Sequence, residues 1–108
     1  MSANATPESA LTALSDPTRR AIFERLVEGP QAVGEIASEL PVSRPAVSQH
    51  LKVLKEAGLV IDAALGTRRV YRVDPDGLEA LRCYLDGFWN RALASVKDVA
   101  ERPTKEEP

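Results

Sequence analysis

Apolar residues return along this chain at helical spacing in five places and at strand spacing in one. Behind Thr6, a residue able to cap a helix, Ala10, Leu11 and Leu14 predict a short first helix over Pro7 to Leu14. Asp16-Pro17 provides an aspartate cap and a proline suited to the first helical position, opening a second helix to about Glu28. Ala21, Ile22, Leu26 and Val27 form its core side, and Gly29-Pro30 stops it. Val33, Ile36, Ala37 and Leu40 line one face of a third helix, which the turn Pro41-Val42-Ser43 joins to a fourth. In that fourth helix Ser43 is the cap, Pro45 lies in the first turn, and Gly58 falls where a left-handed C-terminal cap belongs. It runs from about Arg44 to Ala57, with Val47, Leu51, Leu54 and Ala57 as the inner stripe.

After Gly58 the period drops from 3.6 to 2. Leu59, Val60 and Ile61, then Val70, Tyr71 and Val73, read as the two arms of a small hairpin, with 63–68 between them and Gly66 at the tip. Asp74-Pro75-Asp76 starts a last helix over about Pro75 to Ala100. The fold expected is mainly α with a small β-hairpin (α+β), in the order α-α-α-α-β-β-α, as one domain over 1–100. Residues 101–108, with two prolines and five charges, are expected to be a disordered tail.

Two short helices joined by a three-residue turn must cross steeply, which is the helix-turn-helix arrangement that offers its second member to a groove. The outer stripe of that member agrees: Pro45, Ser48, Gln49 and Lys52 stand at i, i+3, i+4 and i+7, and with Arg44 they form a face without a carboxylate. Such a face suits a polyanion. His50 lies between the two stripes and is read as hydrogen-bonded or phosphate-facing, because a lone imidazole cannot supply the roughly four ligands of a zinc site. Arg68 and Arg69 carry further cations to the hairpin tip, with Arg72 beyond them. Arg19 and Arg20 are read as a solvated first turn in preference to phosphate contacts.

Charge sharpens this picture. The chain is net −2, but residues 43–72 hold six basic and two acidic groups, while the segments on either side are each net −3. Positive charge is therefore concentrated around the fourth helix and the hairpin, as phosphate contact requires.

The last helix presents a different surplus. Leu78, Leu81, Leu85, Phe88, Ala92, Val96 and Val99 recur at steps of three or four, the spacing of a helix-packing seam, and Tyr84, Trp89 and Leu93 widen it. A second copy of the chain is the simplest cover, with Leu11 and Leu14 of the first helix completing a homodimer interface.

Other chemistry finds little purchase. No nucleophile is paired with a histidine, no glycine-rich phosphate loop occurs, and neither enzyme activity nor a cofactor or metal is expected. Cys83 is the single cysteine; it reads as inert, with a redox-responsive regulator as the alternative. No apolar run approaches the roughly 18 residues of a membrane span and the first residues have no signal-peptide pattern, so a cytoplasmic protein is expected. A protein-binding winged-helix module remains the other class of reading.

The sequence also resembles the ArsR/SmtB family of bacterial winged-helix repressors over about Leu11 to Val96. The resemblance is carried by LSDPTRRAIFERL at Leu14 to Leu26, SRPAVSQHLKVLKEAGLV at Ser43 to Val60, and TRRVYRV at Thr67 to Val73. It implies a homodimer built from the first and last helices, a reading helix in each major groove of double-stranded operator DNA, and repression relieved by a signal. By position it assigns Ser48 and Gln49 to base edges, Arg44 and Lys52 to phosphate or bases, and Arg68 and Arg69 to the wing. Metal-sensing members carry a cysteine pair before the reading helix, or histidine and carboxylate ligands in the last helix. Val33 to Leu40 has no cysteine here and the last helix no histidine, so the resemblance points to non-metal members ending in a phenylalanine-tryptophan pair, here Phe88-Trp89. For those the small-molecule effector is open.

Overall fold

The computed structural model describes residues 5–100. Its elements are α1 (Pro7–Leu14), α2 (Pro17–Glu28), β1 (Gln31–Ala32), α3 (Val33–Glu39), α4 (Arg44–Glu56), β2 (Val60–Leu65), β3 (Arg68–Val73) and α5 (Pro75–Ala100). The expected tail at 101–108 lies outside the described residues.

The caps explain where the helices begin. Thr6 Oγ1 accepts the Ser9 N–H at 3.0 Å, Asp16 Oδ2 the Arg19 N–H at 2.8 Å, and Ser43 Oγ the Ala46 N–H at 3.3 Å. Each bond satisfies one of the orphan donors of a first helical turn. At the far end of α4, Gly58 takes φ +82°, the Gly58 N–H reaches the Lys55 carbonyl at 3.0 Å, and the Leu59 N–H reaches the Leu54 carbonyl at 3.0 Å. This is a Schellman motif, with Leu54 and Leu59 as its apolar pair, both fully buried.

Three differences from the sequence expectation have physical reasons. First, the sheet has three antiparallel strands in the order β1-β3-β2, because Gln31 and Ala32 pair with Tyr71 and Val70. A two-residue strand has no periodicity to betray it. Secondly, the hairpin arms are longer than expected, since Ala63, Ala64 and Leu65 pair with Val70, Arg69 and Arg68. Only Gly66-Thr67 turns, with Gly66 at φ +63°. Thirdly, Phe23 belongs to the α2 core face, whereas Val27 is 57% exposed.

The core gathers Ala10 and Ala13 of α1, Ile22, Phe23 and Leu26 of α2, Ile36 of α3, the α4 stripe Val47, Leu51, Leu54 and Ala57, then Leu59, Val60 and Leu81. α2 and α3 thus pack behind α4 and leave its outer face free, while α1 packs on α2 and α5. Only Leu81 of α5 is buried. Leu81, at 6% exposure, is enclosed within one protomer, and Leu14 packs partly buried against the core. Leu11, Leu78, Leu85, Phe88, Trp89, Ala92 and Val96 remain exposed. No helix among the described residues is long and apolar enough to cross a membrane.

Candidate nucleic-acid interface

The outer face of α4 is exposed at Arg44, Pro45, Ser48, Gln49 and Lys52. The inner stripe holds this face outward: Val47, Leu51 and Leu54 have no exposed surface, so rotation of α4 would bring polar groups into the core. Arg44 folds its guanidinium over Gly34 of α3, where a methyl group would lie 3.5 Å from its central carbon. His50 is half-buried between the faces. Its Nδ1 lies 3.5 Å from Arg19 Nη1.

Arg19 and Arg20 have a role that neither sequence reading contained. Arg19 Nε donates to the Ala13 carbonyl at 2.8 Å and Arg20 Nη1 to the Leu14 carbonyl at 2.8 Å, so both cations cap the C-terminal end of α1. Those carbonyls have no partner within the helix and carry the negative end of its dipole.

The wing arginines are also engaged. Arg69 Nη1 lies 2.7 Å from Asp62 Oδ2, and Lys55 Nζ of α4 lies 2.8 Å from Asp62 Oδ1. The Asp62 side chain is only 7% exposed. The hydrogen bond from Lys55 holds its carboxyl below the ordinary aspartate value, partial burial opposes this, and the bond from Arg69 adds to the lowering. Asp62 therefore fastens the wing to the last turn of α4. Arg68 Nη2 pairs with Glu35 Oε1 at 2.7 Å, across a groove of about 500 Å³ lined by Gly34, Glu35, Arg44, Thr67, Arg68 and Arg69. Sequence reasoning missed Glu35, Lys55 and Asp62, whose partners lie on other elements at separations that follow no helical or strand period. Arg72 is exposed on β3.

Cys83 Sγ lies 3.5 Å from Glu79 Oε2, and the hydrogen bond to that carboxylate pushes the thiol up, away from the reactive thiolate. Among the described residues, no three His, Cys, Asp or Glu side chains are grouped so as to hold a metal ion.

Comparison with known proteins places this geometry among regulators. A helix-turn-helix domain model matches residues 14–62. The HTH-type transcriptional regulator Rv2034 of Mycobacterium tuberculosis is 67% identical over 101 residues, 94% of each chain. The transcriptional repressor SdpR of Bacillus subtilis is 34% identical over 79 residues, 73% of this chain and 88% of the repressor. Among solved structures, an ArsR-like transcriptional regulator from Rhodococcus sp. RHA1 matches with a TM-score of 0.74 at 35% identity, over 90% of this chain and 94% of the other. A homodimeric winged helix-turn-helix DNA-binding domain from Mycobacterium bovis matches with a TM-score of 0.63 at 28% identity, over 77% of each chain.

Proposed function

This chain belongs to the ArsR/SmtB family of winged helix-turn-helix transcriptional regulators, and on that footing we propose that it is a homodimeric, DNA-binding repressor of transcription. The observation that carries the reading is the outer face of α4: Arg44, Ser48, Gln49 and Lys52 are exposed, include no acid, and their side chains make no ion pair or hydrogen bond among the described residues. The protein acts in the cytoplasm on an inverted-repeat operator, whose half-sites lie about one helical turn apart, roughly 34–36 Å. Ser48 and Gln49 face base edges, Arg44 and Lys52 face phosphate or bases, and the wing follows the backbone. A glutamine amide can bond adenine through two contacts, so Gln49 is the leading determinant of sequence choice. A protein-binding module would leave this cationic face without use.

The test is binding of the wild-type protein to the DNA upstream of its own gene and to unrelated DNA of equal length, over a series of salt concentrations. Preference for the upstream region is expected, with affinity falling linearly on a logarithmic salt axis. Gln49→Ala should reduce discrimination at one base pair by about 1–3 kcal/mol while leaving affinity for unrelated DNA nearly unchanged. Equal affinity of the wild type for both DNAs would overturn the proposal.

A further inference from the structure

We infer that the groove between α3, the first turn of α4 and the wing seats one phosphate of the DNA backbone, and that Glu35 occupies the phosphate's place in the free protein. The inference rests on the DNA-binding reading above. Arg44, Thr67, Arg68 and Arg69 line the groove, and among the described residues Glu35 is the only acid in its lining. Asp62 retains Arg69 from a nearly buried position, and Lys55 shares that carboxylate, so this ion pair belongs to the framework. The Glu35 pair differs. Both side chains are about half exposed, at 55% for Arg68 and 51% for Glu35, and exposed ion pairs of this kind contribute little to stability.

A phosphate oxygen offers Arg68 the same chemistry as the Glu35 carboxylate, with a second cation, Arg44, also lining the groove. Binding is then an exchange: Arg68 leaves one anion for another, and Glu35 is left facing the backbone. The acid weakens every phosphate contact at this point irrespective of base sequence. It also keeps the wing tip drawn to α3 when no DNA is bound. Glu35 has a second duty, since the same Oε1 accepts the Ala32 N–H at 2.7 Å and so caps α3. The informative variant must remove the charge and keep that acceptor.

Glu35→Gln does both. Its affinity should rise about two- to fivefold near 0.1 M salt, on the upstream region and on unrelated DNA alike, as expected for release of one exposed ion pair. The logarithmic salt slope should steepen by up to about 0.9, the increment of one phosphate contact. Glu24→Gln, which removes an exposed charge from α2, is the charge-matched control and should change neither. The decisive comparison is the double variant: in an Arg68→Ala background the gain from Glu35→Gln should be clearly smaller, because only direct repulsion between the acid and the phosphate is left to relieve. An unchanged thermal midpoint for Glu35→Gln shows that the α3 cap survives. The inference falls if wild type binds DNA and Glu35→Gln does not tighten it, or if the gain is undiminished without Arg68. Failure of the wild type to bind DNA at all would remove the functional reading itself, and this inference with it.

Discussion

Asp62 shows how a single side chain can set the geometry of a recognition surface without touching the ligand. Its carboxylate joins Lys55 of α4 to Arg69 of the wing, so its charge ties these two elements together. The folded-state carboxyl titrates below its ordinary value, so the stabilisation is complete above the unfolded value near pH 4 and is lost as pH falls through the lower, folded value. Asp62→Asn should therefore cost about 1 kcal/mol at neutral pH, with both cations able to rehydrate. The difference in thermal midpoint between variant and wild type should shrink as pH is lowered below about 4. A pH-independent difference would show that packing, not charge, holds the wing. The α4 stripes were legible because a helix repeats every 3.6 residues, and Val47, Leu51 and Leu54 all lie where that period puts them. Asp62 was not legible, because its partners are defined by how α4 and the hairpin meet.

Among the elements, α5 is held at its first turn by backbone contact. The Asp74 N–H donates to the Leu59 carbonyl at 2.9 Å, and Gly77 lies so close to Gly58 that an added Cβ would overlap the Gly58 carbonyl oxygen. The start of α5 is thereby seated on the Schellman turn that ends α4. Alanine is the better helix former by about 1 kcal/mol, so on propensity alone Gly77→Ala would stabilise α5. The overlap should win, because backbone cannot yield as a flexible side chain can, with a net loss of about 1–3 kcal/mol. Thermal unfolding measures the sign directly, and a midpoint at or above wild type would exclude this close seating. The bounds of α5 could be read from Asp74-Pro75 and its heptad-like spacing, whereas the need for glycine at 77 exists only once α5 meets the turn after α4. The β1 strand was hidden for a similar reason, since its two residues become a strand only by pairing with β3.

For the whole molecule, the governing fact is the apolar surface left on α5. Leu85, Phe88, Trp89, Leu93, Val96 and Val99 are between 43% and 67% exposed, and the chain extends 70 Å in its longest dimension against 29 and 23 Å in the others. Arg91 over the Phe88 ring and the edge-to-face Tyr84–Phe88 pair order only part of this surface. Leu85→Glu should place charges in the seam and yield monomers by analytical ultracentrifugation, with operator affinity falling far more than the affinity of a single half-site. A dimer that persists would move the seam away from Leu85. Arg19 adds a consequence for how two such protomers communicate. One guanidinium caps the C-terminal end of α1 and also lies 3.5 Å from His50 on α4. If two protomers meet at α1, as the sequence predicts, a tilt of that helix would therefore reach the imidazole on α4 through Arg19 without passing along α5.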